Sequence, residues 1–281
     1  KNKTYIHGSY SAFNISDPKP RNIHKASVRD RVLHHLIYKE LNEYFCKRFI
    51  YDSYSCRIGK GVHRALDRFR DFACKASKNN TRTCFVLKCD IKKFFASVDH
   101  VTLMKILKRH IADPDVLWLI NRVISSFCSS APGLGLPLGN LTSQLLANVY
   151  MHEFDMYIKQ ELRIKYYIRY ADDFVIFSQN REYLTGIFSK IQDFLFDNLK
   201  LQLHPGKVSI KTFASGIDFL GWIHFPGYRV LRTTTKRRML SRIKEVNSKR
   251  ETIVSYLGLM SHGNTIKLQR KIESLLSAYD S

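Results

Sequence analysis

The sequence is short of acid: its 281 residues carry 24 Asp and Glu against 46 Lys and Arg, a formal net charge of +22. Such an excess exceeds what solubility needs and builds a field suited to a polyanion, nucleic acid first and an acidic membrane surface second. The sequence also lacks any apolar stretch of the roughly 18–20 residues needed to span a bilayer. It has no charged start followed by an apolar core that would direct secretion. No membrane association is expected, and the cytoplasm is the expected location. The six cysteines, Cys46, Cys56, Cys74, Cys84, Cys89 and Cys128, show no paired two-residue spacing, which argues against a zinc site or a disulfide framework. There is no internal repeat and no low-complexity tract. A hydrophobic fraction of 44% with 12% aromatics is enough for a large core and excludes a mostly disordered chain.

What is present is organised around Tyr170-Ala-Asp-Asp173, inside the aromatic and β-branched run Lys165–Ser178. The run reads as a hairpin with Asp172 and Asp173 at its turn. Asp is depleted in strands and adjacent carboxylates repel, so a purely structural pair there is costly unless a divalent cation neutralises it. A solvated Asp-Asp turn is the competing reading. A second carboxylate, arriving from a distant element, decides between them. Thr83–Asp90 reads as a buried strand ending in Asp90, with Phe95 five positions beyond.

Residues 1 to 27 lack periodicity and read as an extended lead-in, with Asp17-Pro-Lys-Pro-Arg21 either a phosphate-touching loop or an ordinary basic one. The sequence begins at Lys1 rather than Met, as a fragment or a trimmed chain would. From Ser27 to Phe49, Val28, Val32, Leu33, Leu36, Ile37, Leu41, Tyr44 and Phe45 recur at helical spacing with Ser27 as cap. Arg29, Asp30 and Arg31 at its start fit a capping ion pair or a nucleotide-facing role equally. His34-His35 reads as surface or RNA-facing rather than metal-binding. The loop Cys56–Gly61 holds Lys60 between two glycines without P-loop spacing and reads as a basic turn near a template strand. A second helix follows through Val62, Leu66, Phe69 and Ala73. Helices are also expected from Asp99 through Leu107, over Asp113–Cys128, Thr142–Leu162 and Arg181–Leu199. Gly133–Asn140 is a Gly/Pro loop, Leu203–Lys207 a turn, and Phe213–Val230 a hairpin. From Arg229 on, basic residues including Arg232, Arg237, Arg238 and Arg242 accompany a helical stripe of Met239, Leu240, Ile243 and Val246. This is expected to form a separate helical unit laid on a nucleic-acid backbone.

Phosphoryl transfer with two metal ions needs carboxylates converging from separate elements. Asp90, Asp172 and Asp173 meet that requirement. The blocks Asp90-Ile-Lys-Lys-Phe-Phe95, Gly135-Leu-Pro-Leu-Gly-Asn-Leu-Thr-Ser-Gln144, Tyr170-Ala-Asp-Asp173, His204-Pro-Gly-Lys207 and Phe219-Leu-Gly-Trp222, in this order, resemble those of reverse transcriptases. The resemblance implies an α+β right-hand polymerase with an antiparallel palm sheet. Residues 1–82 would be the N-terminal part of the fingers, 83–228 the palm with the remaining fingers elements, and 229–281 a basic helical thumb. It implies RNA-templated DNA synthesis with two Mg²⁺ ions, Mn²⁺ being the alternative, held by Asp90, Asp172, Asp173 and the Ile91 carbonyl. Phe95 resembles the steric gate against a 2′-hydroxyl and Lys207 the general acid for pyrophosphate. Lys19, Arg21 and Arg31 resemble residues near the incoming triphosphate, with Leu138, Gly139 and Gln144 also lining the nucleotide.

Within the family, Lys19-Pro-Arg-Asn-Ile-His24, Ile58-Gly-Lys-Gly61, Gly139-Asn-Leu-Thr-Ser-Gln144 and Tyr256-Leu-Gly258 look most like diversity-generating retroelement enzymes. Those copy a template-repeat RNA into cDNA with errors opposite adenine, and work with a small basic pentameric accessory protein. Group II intron maturases are close, and an antiphage-defence enzyme using its own noncoding RNA is the nearest rival. A non-catalytic RNA-binding relic is the rival from another class. One departure stands out: many reverse transcriptases have Pro-Gln-Gly where this sequence has Pro137-Leu138-Gly139. Replacing a hydrogen-bonding amide with an apolar side chain is expected to weaken checking of the nascent pair.

Overall fold

The computed structural model describes residues 3–16, 20–245 and 250–277. In chain order the elements are β1 (Ser11–Ile15), β2 (Arg21–Lys25), α1 (Val28–Cys46), α2 (Val62–Ala76), β3 (Phe85–Asp90), α3 (Phe94–Ser97), α4 (His100–Lys108), α5 (Pro114–Ser125) and α6 (Leu141–Met156). There follow β4 (Tyr167–Tyr170), β5 (Asp173–Ser178), α7 (Arg181–Leu199), β6 (Ser209–Thr212), β7 (Ile217–Phe219), β8 (Trp222–Phe225), β9 (Tyr228–Leu231), α8 (Thr233–Glu245), α9 (Arg250–Met260) and α10 (Ile266–Ser277). The architecture is α+β, with three antiparallel sheets: β1-β2, β4-β5-β3-β6 and β7-β8-β9. Among the described residues no helix is long and apolar enough to cross a membrane.

The four-stranded sheet is apolar on both faces, which explains why its strands read as near-continuous hydrophobic runs. Along β5, Phe174 and Ile176 join one core with α1, α4, α5, α6 and α7. Val175 and Phe177 alternate into a second core with α2, the β7–β9 sheet and the C-terminal helices. Met239, Ile243, Ile253, Met260 and Ile272 belong to that second core together with Trp222. The tail is therefore packed against the rest of the chain rather than forming a separate unit.

Several expectations hold and several do not. Ser27 caps α1, accepting from the Asp30 N–H, and Asp99 and Asp113 cap α4 and α5. The Arg181–Leu199 helix has the expected bounds. The long helix stops at Met156 and continues as a π-helical turn over Tyr157–Glu161. The lead-in is not irregular: β1 and β2 pair, Phe13 opposite Ile23. Its residues are exposed or half-buried throughout, so no alternation announced it. Strand β6 was likewise unannounced, and the expected Phe213–Val230 hairpin is a three-stranded sheet.

The expected apolar repeat of α1 reaches the core only in part, through Ile37, Leu41 and Phe45. Val28, Val32 and Leu36 are exposed, while Asp30, His34, Ile37, Leu41 and Phe45 are buried. Asp30 receives hydrogen bonds from the Ser27 hydroxyl, the Gly8 N–H and Tyr5, so the N-terminal arm is fastened over that face by polar contacts. His34 is thus buried against His7, ring centroids 5.2 Å apart, and not at the surface. Arg29 takes the ion-pair role with Asp30. Arg229 and Arg232 do not lie on a basic helix face; they sit in and just after β9, paired with Asp67 and Asp218 respectively.

Candidate active site

The carboxylates meet because of strand register. Asp90 ends β3 directly opposite Asp173, the first residue of β5, and the Ile91 N–H donates to the Asp172 carbonyl at 3.2 Å. Tyr170 on β4 pairs with Asp173, leaving only Ala171 and Asp172 in the turn. Ala171 takes a left-handed φ of 55°, strained for a residue with a Cβ. That strain is held by a buried network missed in the sequence. Arg169 forms a two-pronged ion pair with Asp155, Nε to Oδ1 at 2.8 Å and Nη2 to Oδ2 at 2.6 Å, and its Nη1 donates to the Ala171 carbonyl at 3.0 Å. Tyr167 donates to the same carboxylate at 2.8 Å. Arginine alternating with aromatics in a buried edge strand, and an aspartate in an otherwise apolar helix, were the available signals.

The three site carboxylates are electrostatically uncomfortable. Burial and the neighbouring Asp90 raise the Asp172 pKa, opposed in part by Lys207 and Arg21. Burial pushes Asp173 up to about 7, with Lys88 opposing and Asp90 and Asp172 adding to the rise. Asp173 Oδ1 is buried with no hydrogen-bond partner among the described residues. Lys207 Nζ donates to Asp90 Oδ1 at 2.8 Å, and Lys88 Nζ stands 3.7 Å from Asp173 Oδ2. Among the described residues no three carboxylates, histidines or cysteines already stand as a cluster that could hold a metal ion. The all-oxygen donor set, the unpartnered Asp173 Oδ1 and the mutual repulsion nevertheless fit hard divalent cations, with lysines supplying compensating charge.

The surrounding residues are positioned to different degrees. Lys207 is brought to Asp90 by the short helical turn Pro205–Lys207, with the His204 N–H donating to the Asp90 carbonyl at 2.8 Å. Phe95 is half-buried, edge-on to Phe94, and its carbonyl accepts from the Leu136 N–H at 2.7 Å. Strand β2 docks on the Gly/Pro loop: the His24 N–H donates to the Leu138 carbonyl at 2.9 Å, and Asn140 Nδ2 to the His24 carbonyl at 2.7 Å. Gly139, with a φ of 102°, lies so close that an added Cβ would come within 2.6 Å of Ile23. This docking explains how Arg21, on β2, comes to act on Asp172. Gln144 is half-buried in the first turn of α6, and Arg31 is exposed in the first turn of α1. Lys19 lies outside the described residues. Lys60 donates to the Tyr51 carbonyl and sits 3.2 Å from the Tyr51 ring, an interaction within its own loop. Arg237, Arg238 and Arg242 are exposed on α8, opposite buried Met239 and Ile243.

Residues 15–224 match the family model described as reverse transcriptase (RNA-dependent DNA polymerase). Protein YkfC of Escherichia coli (strain K12) is 25% identical over 243 residues, covering 73% of this chain and 63% of that protein. Group II intron-encoded protein LtrA of Lactococcus lactis subsp. cremoris is 24% identical over 217 residues, covering 53% and 35%. A telomerase from Candida albicans, solved with a TWJ fragment of telomeric RNA, superposes with a TM-score of 0.62 at 12% identity, over 97% of this chain and 54% of that one. The chain thus spans 63% of the length of the first relative and 35% of the second. The structural likeness shows the fold, that of a right-hand polymerase, which the α+β arrangement of antiparallel sheets matches.

Proposed function

Because this chain belongs to the reverse transcriptase family, we propose that it extends a primer 3′-hydroxyl with deoxynucleotides on an RNA template. The observation that carries the reading is the pairing of Asp90 with Asp173 across β3 and β5, beside Asp172, with two lysines at the carboxylates. The 3′-oxygen forms a bond to the α-phosphorus, the bond to the bridging oxygen of pyrophosphate breaks, and the 3′-hydroxyl proton passes to solvent water. Asp90, Asp172 and Asp173, with the Ile91 carbonyl, would hold two Mg²⁺ or Mn²⁺ ions. Such ions lower the pKa of the attacking hydroxyl and neutralise charge at the phosphorus. Lys207, which holds Asp90 at 2.8 Å, would protonate the departing pyrophosphate once that carboxylate is otherwise engaged. Phe95 would lie under the sugar and exclude a 2′-hydroxyl. Arg21 would meet the triphosphate, with Lys19 and Arg31 from the same region, and Leu138, Gly139 and Gln144 would contact the nascent pair. Lys60, Arg237, Arg238 and Arg242 would follow the nucleic-acid backbone.

The finer reading is a diversity-generating enzyme that copies a template-repeat RNA with errors opposite adenine, assisted by a small basic pentameric protein in the cytoplasm. Its support is the set of blocks around Lys19–His24, Ile58–Gly61 and Gly139–Gln144, and Leu138 in place of glutamine. A second reading, a group II-like enzyme with its own noncoding RNA, is favoured by the intron-encoded relative. Primer extension on a defined RNA template, with and without the copurifying RNA, tests the activity. Sequencing that RNA tests the subtype. Wild-type protein that extends no primer with either cation, under conditions where it binds the duplex, would overturn the proposal.

A further inference from the structure

A lysine stands in an inner strand of the four-stranded sheet. Lys88 on β3 lies opposite Val175 on β5 and Ser209 on β6. Side chains alternate along a strand, so Lys88 shares a face with Val86 and Asp90, and on β5 the same face carries Val175 and Asp173. Val86 and Val175 belong to the second core, so the ammonium has to find partners within the fold. It has two. Nζ donates to the Asp218 carbonyl on β7 at 2.6 Å and stands 3.7 Å from Asp173 Oδ2. The Asp218 carboxylate in turn pairs with Arg232, which immediately precedes α8. An apolar residue would fill the place beside Val86 and Val175 at less cost, so the position uses the charge.

The two lysines at the carboxylates are not equivalent. Lys207 sits on a three-residue turn with its side chain 42% exposed, which suits a group that has to travel to a leaving group. The Lys88 side chain is 16% exposed, and its ammonium is tied to the backbone of a different sheet, which suits a group that stays. Among the described residues Lys88 is also the one ion-pair partner of Asp173, whose Oδ1 has no hydrogen bond. Asp173 lies directly opposite Asp90, and like charges across a ladder push apart. A fixed cation opposes that push at Asp173, as Lys207 does at Asp90.

We propose that Lys88 is the positioning residue of Asp173: it braces that carboxylate to the Asp218 carbonyl of β7 and holds it against the charge of Asp90 until divalent cations take over. What Asp173 is held for rests on the polymerase reading, whereas the first test does not. Mn²⁺ alone is titrated into the full chain without nucleic acid and followed by electron paramagnetic resonance. Lys88→Met removes a charge that competes with the ion, so Mn²⁺ should bind at least roughly fivefold more tightly, because charges a few ångströms apart interact strongly even at the effective dielectric of a protein. Primer extension should move the other way: kcat should fall roughly ten- to a hundredfold, the cost of a misplaced group, with the nucleotide KM little changed. Lys88→Arg keeps the charge but not the single-point geometry, and should restore wild-type Mn²⁺ affinity and part of kcat. A merely structural lysine would give weaker Mn²⁺ binding and a lower thermal midpoint in Lys88→Met, and a spectator would leave Mn²⁺ binding unchanged; either result overturns the inference. So does tighter Mn²⁺ binding with undiminished kcat. Should wild-type protein extend no primer, the polymerase reading falls, and Mn²⁺ binding still decides for or against Lys88.

Discussion

Two carboxylate groups on or beside the β4–β5 hairpin are treated in opposite ways. Asp155 is fully buried, yet both of its oxygens are taken up by Arg169, with Tyr167 adding a third bond. Asp172 and Asp173 are less buried, face each other's charge and Asp90's, and leave Asp173 Oδ1 without a partner. The first group is complete within the fold and acts as a scaffold. The second is left incomplete within the fold, and the proposed divalent cations would complete it. Arg169 joins the two, since the guanidinium that neutralises Asp155 also grips the Ala171 carbonyl and so aims Asp172.

The largest expected effect comes from removing charge at the incomplete group. Asp172→Asn or Asp90→Asn should lower primer extension by at least about a hundredfold while leaving the thermal midpoint and duplex binding nearly unchanged, because the lost charge matters chiefly in the transition state. Near-wild-type extension by either variant under Mg²⁺ would erase the contrast. The opposite signature is expected at the scaffold. Asp155→Ala strands a buried guanidinium and should cost about 3–5 kcal/mol in urea unfolding, with extension falling as the Ala171 turn loosens. Replacing both partners with apolar residues, Asp155→Leu with Arg169→Met, should recover most of the stability but not the extension. A loss under about 1 kcal/mol in the single variant would mean that Asp155 is not holding the turn.

The difference between the two groups also explains what was legible in the sequence. Asp90, Asp172 and Asp173 break the pattern of apolar strands, so each stood out where it sits, and antiparallel register then brought them together. Asp155 and Arg169 satisfy each other, and Asp30 is satisfied by Tyr5 and Gly8, through contacts between distant segments that periodicity does not encode. The same holds for α1: its Val28, Val32, Leu36 stripe is a true helical repeat, but Asp30 faces inward to Tyr5 and Gly8, and His34 to His7. The β1–β2 hairpin has no buried face and hence no alternation to read. Arg229 and Arg232 were misplaced because a run of positive charge says nothing about the acids, Asp67 and Asp218, that fold against it.

A third expectation concerns acid, and it extends the contrast to Asp30. Burial raises this carboxyl, but hydrogen bonds from Ser27, Gly8, Tyr5 and Arg29 hold it well below the ordinary range. Burial lowers His34 to about 4 and His224 to about 3. For both histidines the unfolded chain binds more protons between those values and about 6.5, so stability falls as pH drops through that window. Asp30 adds a further loss below about pH 3.9, where the unfolded carboxyl protonates first. Asp173, raised to about 7, and Asp172, also raised, act in the opposite sense over the same window, so the histidine loss is read in an Asp172→Asn, Asp173→Asn background, where urea midpoints should decline steadily from pH 7 to pH 4. A flat profile would place water or counter-charge at the two histidines. Smaller still is the expected effect on α8, whose arginines Arg237, Arg238 and Arg242 are exposed. Arg237→Ala with Arg238→Ala should weaken duplex binding regardless of sequence and flatten its salt slope by roughly one to two units. An unchanged slope would make that face merely solvated.

The smallest effect tests the same contrast without charge. Leu136 is 3% exposed and belongs to the core, whereas Leu138, two residues on, is half-buried and gives its carbonyl to the His24 N–H. Its backbone thus anchors β2, and its side chain joins neither hydrophobic core, which leaves it for the proposed contact with the nascent pair. An apolar contact discriminates between ligands by only about 1–3 kcal/mol, against the larger penalty that an unpaired buried polar group imposes on a wrong fit. Leu138→Gln should therefore lower misincorporation, most visibly opposite template adenine, with overall extension altered less than the error rate. The anchoring bond to His24 is a backbone one and survives the substitution, so a change in fidelity reports the side chain. Sequencing cDNA made by both enzymes on one adenine-containing RNA measures it. Equal error spectra would assign Leu138 to loop packing beside Leu136 and move the source of infidelity elsewhere in the site.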